Sequence, residues 1–533
     1  MQPQLTFLSP FPPCALSGTS RRPSVASRRQ VSLRPCLPRR RRRSLLRLCA
    51  APSSDVPFAD KKAALLTALR AVVDPDLGDD IVSLGFVKNI DFRDNGDVSF
   101  DVELTTPACP VKDAFRQQCQ QLAESLPFVR EAHVRMTAQA PRATAELTDA
   151  NTRSLQRVSN VILVASAKGG VAKSTTAVNL AYVLSRSGAR VGILDADIYG
   201  PSLPIMVAPE GGTQVRLTDD GLIEPFVRAG VKLMSFGYIN PDPAMLRGPM
   251  VASMVTQLVQ QTHWGELDYL VVDMPPGTGD VQITLGQVLK ATAAVVVTTP
   301  QRLAFADVVK GIQLLDKLAV PPIAVVESMA YFEAPDTGRR YYLFGQGHGA
   351  RLSREFGIEN TFEVPLMPEI NAAGDTGTPI TLTTPEDNAV FQCYKRIADA
   401  VVQECARIRF GANTVPQAHY DTESGDIVVR IGGANDDDAH VEHIWPAALR
   451  RACRCAACVD EYSGAPLLDP GKVDENVRPQ QMMNVGNYAL AINWSDSHQS
   501  IMPWERILTQ YRSRRRSTPA PAPEPSTPAP AAR

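Results

Sequence analysis

One short segment constrains this chain more than any other. Ala167-Lys168-Gly169-Gly170-Val171-Ala172-Lys173-Ser174-Thr175 lies between a β-branched run at 161–164 and a helical pattern that continues to about Arg186. A glycine-rich turn from strand to helix aims backbone N–H groups and a helix N-terminus at one point, where a phosphate group fits. Gly169, Gly170, Val171 and Thr175 supply the backbone of such a cradle, Lys173 can reach β- and γ-phosphates, and Ser174 can ligate Mg²⁺. A turn of this kind needs a sheet on which to stand. Short apolar runs at 161–164, 191–194, 269–272, 293–298 and 323–326 alternate with helical segments, as strands buried on both faces of a parallel sheet do. The expected fold class is therefore α/β, a doubly wound parallel sheet whose ligands bind at the carboxyl ends of its strands. Carboxylates stand at those ends. Asp195-Ala196-Asp197 closes the second run, and Asp273-Met274-Pro275-Pro276-Gly277-Thr278-Gly279-Asp280 follows the third. They can hold a metal shell and orient an attacking water, while the glycine-rich turn responds to a γ-phosphate.

The rest of the 533 residues leaves room for further domains. Residues 56–140 combine helical spacing at 58–72, strands expected at 81–90 and 98–104, and an amphipathic helix over about 111–125, which reads as a small α+β domain. A polar linker near 139–158 leads into the sheet domain at 159–410. A small third domain follows at 415–510, with strands at 427–431 and 488–494, and a Pro/Ala-rich tail at 511–533 is expected to be extended and mobile. No apolar stretch approaches the ~18–20 residues of a membrane-spanning helix, so no membrane insertion is expected.

Charge is distributed unevenly. The net charge of −1 hides eleven Arg and no Asp or Glu in residues 1–54, leaving −12 for the remainder. A folded portion of that sign repels phosphate backbones, which argues against nucleic acid as a partner. The basic, Ser- and Pro-rich head has the composition of an organelle transit peptide, with chloroplast favoured over mitochondrion by its Ser and Pro content. Cys14, Cys36 and Cys49 would leave with it.

The remaining cysteines carry the other chemistry. Cys109, in Thr105-Thr106-Pro107-Ala108-Cys109-Pro110, precedes a helix, and Pro110 suits a first helical position. Helix N-terminal N–H groups there would favour a thiolate available to iron, sulfur or a partner thiol. Cys405 falls on a helix near the end of the sheet domain, and Cys119 and Cys393 read as core. Cys453-Arg454-Cys455-Ala456-Ala457-Cys458 places three thiols so close that a cation is expected between them. A fourth ligand is needed, and the resemblance of C-x-C-x-x-C with the distant W-x-D-x-H at 494–498 to the zinc-binding N-terminal domain of γ-butyrobetaine hydroxylase-like proteins makes His498 the best candidate. A tetrahedral Cys₃His set saturates Zn²⁺ and leaves no position for water, so this metal would be structural. An iron–sulfur cluster on the same thiols is the less suitable alternative.

Several of these strings carry a family resemblance. The K-G-G-V-x-K-S-T loop, D-A-D-I-Y-G-P-S at 195–202, R-G-P-M at 247–250 and D-M-P-P-G-T-G-D at 273–280 resemble the Mrp/ApbC branch of MinD-type P-loop ATPases. That family carries and transfers iron–sulfur clusters. The resemblance implies that Lys168 is the lysine that reaches across a homodimer to the partner's nucleotide, and that Asp197 positions the hydrolytic water. The order of domains is similar to the high-chlorophyll-fluorescence type of plastid cluster carrier. T-T-P-A-C-P resembles a small domain of iron–sulfur assembly factors, and C-x-C-x-x-C with a distant W-x-D-x-H resembles the zinc-binding N-terminal domain of γ-butyrobetaine hydroxylase-like proteins. The expected cofactors are ATP, Mg²⁺, an iron–sulfur cluster of 4Fe-4S type and Zn²⁺. Cys109 and Cys405 would hold the cluster, and apo iron–sulfur proteins and cluster donors in the chloroplast stroma would be the partners.

Departures from that pattern matter as much as the match. The loop has Ala167 and Ala172 where G-x-x-x-x-G-K-S has its outer glycines. A methyl at 172 is expected to weaken nucleotide affinity and puts ATP turnover in question, all the more if the backbone there is left-handed. Ser328 replaces the Asn by which relatives touch adenine, and 330–342 lacks the C-x-x-C with which many relatives bridge a cluster between subunits. Three functions compete: a nucleotide-controlled cluster carrier with weak ATPase activity, a pseudo-ATPase adaptor, and a MinD-type positioning ATPase. The third would need an amphipathic membrane-binding terminus, and the Pro-Ala tail has no hydrophobic periodicity.

Overall fold

In the computed structural model, the described residues run from 57 to 508, less 76, 139–153, 213, 241–247, 411–415, 432–439, 456, 460–464, 486–488 and 505. The basic head, most of the linker, Arg247 of the R-G-P-M string and the Pro/Ala tail lie outside them. Among the described residues, no helix is long and apolar enough to cross a membrane.

The expected doubly wound sheet is present and larger than the five apolar runs. It has eight strands, in the spatial order Asn360–Glu363, Pro322–Glu327, Ala293–Thr298, Val158–Ala165, Leu267–Asp273, Val191–Asp195, Val231–Ser235 and Phe226–Arg228. All neighbours are parallel except the last pair. Every residue of Leu267–Asp273 is buried, Asp268 and Asp273 included, because helices cover both faces. Helices Lys173–Arg186 and Ala389–Phe410 bury Ala177, Val183, Tyr394 and Val401 against one face. Helices Gly248–Gln261, Asp280–Leu289 and Arg302–Lys317 bury Val255, Leu285 and Ile312 against the other. The three strands missing from the apolar runs, the two edge strands and Val231–Ser235, are short or part-polar, and so gave no continuous run.

The small domain before it is an α+β layer. Strands Val87–Phe92, Asp97–Leu104 and Glu131–Ala138 pair in that order, antiparallel and then parallel. Helices Phe58–Leu69 and Lys112–Glu124 cover one face, with Leu65, Phe100 and Phe115 in the core. The strand expected from 81 begins only at Val87: Ile81 is buried, but the Phe86 amide closes a turn on its carbonyl at 2.9 Å. The last domain pairs two three-stranded antiparallel sheets, Gln417–Tyr420, Ile427–Ile431 and His440–Ile444, and Pro479–Val485, Ala489–Trp494 and Gln499–Pro503. Its core is built on Ile427, Trp494 and Trp504.

Candidate functional site

The phosphate loop stands where its sequence put it, between strand Val158–Ala165 and helix Lys173–Arg186. Gly170 has φ +75° with open space where a Cβ would be. Ala172, the residue that caps the helix, is also left-handed at φ 58° and ψ 33°. An L-residue held there costs ~1–2 kcal/mol that glycine does not. The turn survives because Ala172 begins the helix: its carbonyl accepts the Thr176 amide at 3.0 Å and the Thr176 hydroxyl at 2.9 Å. Ala167, the other departure, has its methyl toward Gly311 of the covering helix, where even an added Cβ would stand 3.7 Å away.

Three strand ends bring the charged groups together. Lys173 is buried, and its ammonium pairs with the buried carboxylate of Asp273. The same ammonium lies 3.5 Å from the Ser174 hydroxyl, which also hydrogen-bonds Asp273. Burial holds the Asp273 carboxyl above the ordinary range, opposed chiefly by Lys173. Asp195 is 1% exposed. Its carboxylate accepts from the amides of Asp197 at 3.1 Å, Ser202 at 3.0 Å and Leu203 at 3.0 Å, and from the Ser235 hydroxyl at 3.1 Å. Burial, with the neighbouring Asp273 charge, pushes Asp195 up to about 7. Asp197 is part-exposed and accepts the Gly200 amide at 3.3 Å, and Lys168 donates to Gln301 Oε1 at 3.1 Å. One ammonium among these carboxylates, with a hydroxyl and open glycine backbone beside it, is a donor set suited to Mg²⁺ and a polyphosphate.

Ser328, which stands where relatives are expected to have an adenine-contacting Asn, is turned inward. It is 2% exposed, and its hydroxyl reaches the Val171 carbonyl at 2.6 Å and the Thr298 carbonyl at 2.9 Å. It faces the phosphate loop.

At the opposite end of the sheet, the T-T-P-A-C-P loop of the small domain packs onto the large one. Ala108 is part of the large domain's core. The Tyr269 hydroxyl bonds Thr106 Oγ1 at 3.2 Å, out of solvent, and both Cys405 and Cys109 act electrostatically on that tyrosine. Thr105, Thr106, Tyr269, Cys405 and Arg409 line one small cleft. Cys109 is half-buried and Cys405 buried. The expected helix start is corrected: helix Lys112–Glu124 is preceded by Val111, so Pro110 is not its first residue and Cys109 lies in the turn before it. Burial pushes the Cys405 thiol far up and that of Cys119 up to about 12.

The C-terminal cysteines converge as expected. The Sγ atoms of Cys453, Cys455 and Cys458 lie 3.3, 3.4 and 3.6 Å from His498 Nε2, and all four ligand atoms lie within 4.8 Å of one another. Tetrahedral zinc with ordinary bond lengths requires S···N edges of about 3.6 Å, so this donor set fits the ion. The groups around it were not legible in sequence. Arg450, 5% exposed, donates to Cys458 Sγ at 3.5 Å and to Asp496 Oδ2 at 2.9 Å. Ser500 donates to Cys453 Sγ at 3.2 Å, and Asp496 also accepts the His498 amide at 3.1 Å. Arg450 thus ties the thiol cluster to Asp496, and its guanidinium would be a hydrogen-bond donor to a Cys458 thiolate if a cation were held there.

Comparisons with known proteins follow the same division. A family model described as NUBPL iron-transfer P-loop NTPase matches residues 157–402, one described as iron–sulfur cluster assembly protein matches 62–134, and one described as gamma-butyrobetaine hydroxylase-like, N-terminal, matches 433–508. The chain is 45% identical over 473 residues to the Fe-S cluster assembly factor HCF101, chloroplastic, of Oryza sativa subsp. japonica, covering 88% of this chain and 87% of that one. The protein of the same name from Arabidopsis thaliana is 46% identical over 446 residues, or 83% of this chain and 81% of its own. An iron-sulfur cluster carrier protein of Synechocystis sp. is 41% identical over 346 residues, 63% of this chain and 97% of its own. With these relatives and the sheet and loop described above, the chain belongs to the Mrp/ApbC family of MinD-type P-loop NTPases.

Proposed function

We propose that this chain is an iron–sulfur cluster carrier and assembly factor of the plastid, whose nucleotide site governs how the cluster is held and handed to apo-proteins. The observation that carries the reading is the strand Leu267–Asp273. Its carboxyl end places Asp273 against Lys173, and Tyr269 nearer its start is bonded to the loop that bears Cys109. One strand thus reaches the phosphate loop at one end and, at the other, the loop that bears Cys109 and the cleft lined by Cys405. The relatives' names, cluster assembly factor, cluster carrier and chloroplastic, support the same function and compartment, which we assign to the stroma.

In this reading the amides of Gly169 to Ser174 and the helix N-terminus receive the phosphates of ATP, and Lys173 exchanges Asp273 for them. Ser174, Asp195 and Asp273 would hold Mg²⁺, which supplies charge neutralisation at the phosphates. Asp197 orients the attacking water. Lys168 crosses to the nucleotide of a second copy in a homodimer. The cluster, of 4Fe-4S type, is cargo held by Cys109 and Cys405. Cys405 is buried and protonated in the conformation described, so cluster loading requires helix Ala389–Phe410 and the T-T-P-A-C-P loop to part. Cys453, Cys455, Cys458 and His498 would hold a structural Zn²⁺.

The strained Ala172 favours one second reading, a pseudo-ATPase that binds partners with little turnover. Anaerobic reconstitution of residues 55–533 with iron and sulfide tests the two. The carrier reading expects visible absorbance that falls in Cys109→Ser and Cys405→Ser and transfers to an apo-protein at a rate set by ATP. A colourless protein in every nucleotide state would leave the adaptor.

A further inference from the structure

The carbonyl of Val171 belongs to the peptide whose rotation sets φ of Ala172, so whatever fastens that carbonyl fastens the left-handed turn. Ser328 does so. Its hydroxyl has two carbonyls in reach and donates to the nearer, Val171 at 2.6 Å and across 157 residues of sequence; the other, Thr298 at 2.9 Å, already accepts the Ser328 amide at 2.8 Å. Val171 and Ser328 are each 2% exposed and Thr298 is 4% exposed, so bulk water does not compete for the bond. The next residue, Met329, has φ 52°, a second left-handed position that turns the chain out of strand Pro322–Glu327 immediately after the serine. A left-handed residue thus follows each partner of this bond, Ala172 after Val171 and Met329 after Ser328.

We propose that Ser328 is a positioning residue of the nucleotide site: it latches the peptide between Val171 and Ala172 and so fixes the amides of Gly169 to Ser174 that receive phosphate. The two departures of this chain from its family's loop chemistry, Ala172 and Ser328, are one device. The residue that strains the loop is held by the residue that no longer reaches for a base. Ser328 acts through the loop and not on the nucleotide. The proposal rests on the nucleotide-binding reading only for its second readout.

The first readout needs no ligand. Hydrogen exchange of nucleotide-free full chain, followed by mass spectrometry, is expected to be about tenfold faster over residues 167–175 in Ser328→Ala and in Ser328→Cys, which fills the space with a weak donor. Peptides from strand Ala489–Trp494 should exchange as in the wild type. In an Ala172→Gly background, where glycine needs no latch, the effect of Ser328→Ala should shrink to under about threefold. ADP affinity by calorimetry should fall about tenfold in Ser328→Ala, a change of about 1.4 kcal/mol. Unchanged exchange over 167–175 in both single variants, an effect of Ser328→Ala that is equal with and without Ala172→Gly, or faster exchange throughout the chain would overturn the latch. If exchange behaves as expected but even the wild type gives no heat with ADP, the latch stands and the nucleotide reading falls.

Discussion

Lys173 spends its charge on Asp273. The ammonium opens helix Lys173–Arg186, the carboxylate closes strand Leu267–Asp273, and both are buried beside a second carboxylate, Asp195. A buried pair broken on one side leaves an uncompensated charge, which costs more than the pair contributes. Lys173→Met is therefore expected to lose ~3–5 kcal/mol of stability together with nucleotide binding. Lys173→Met with Asp273→Asn should regain most of the stability and none of the binding. Thermal unfolding beside ADP calorimetry checks both, and a single Lys173→Met variant as stable as the wild type would show that the pair is not closed in solution.

Ala172→Gly relieves a left-handed alanine. The expected gain is ~1 kcal/mol in unfolding free energy, the strain relieved less the added freedom of glycine in the unfolded chain. ATP affinity should rise about tenfold, or ~1.4 kcal/mol. Equal affinity in the two proteins would show that the methyl does not disturb the phosphates.

Metal content addresses the C-terminal site. Purified residues 55–533 are expected to carry one zinc per chain, lost in Cys453→Ser with Cys455→Ser, and full zinc in that variant would refute the ligand set. Arg450→Met should still bind the ion, but release it to an alkylating reagent on the order of tenfold faster, because a thiolate without its hydrogen-bond donor is the better nucleophile.

Thiol reactivity separates the cysteines. At pH 8 the Cys119 thiol, pushed up to about 12 by burial, stays protonated, as do Cys393 and Cys405, raised by the same cause. Among these four, iodoacetamide should therefore label half-buried Cys109 first in the native protein. Cys405 labelling as fast as Cys109 would show that the joint between the small domain and helix Ala389–Phe410 opens readily.

Much of this was legible in the sequence because it is local. The loop from Ala167 to Thr175 is read within one strand and one helix, and the five apolar runs are strands because burial on both faces demands an unbroken apolar side. The Cys453, Cys455 and Cys458 spacing brings thiols together whatever surrounds it. Edge strands such as Asn360–Glu363 escaped because they are short and only part-buried, and the helix after Cys109 starts at Lys112, two residues beyond Pro110, since Val111 at φ −96° and ψ 7° stands as its cap.

The sequence by itself determined the strand-to-helix loop, the sheet that carries it and the spacing that brings the thiols of Cys453, Cys455 and Cys458 together. Tertiary structure alone decided that Ala172 is left-handed, that the Ser328 hydroxyl reaches the Val171 carbonyl beside it, that Ser235 donates to Asp195, that Arg450 donates to Cys458, and that Tyr269 bonds the loop that bears Cys109. The reason is physical: helix, strand and turn propensities act over a few neighbours, whereas these contacts join groups far apart in the chain, whose approach is fixed only when the sheet closes and water leaves.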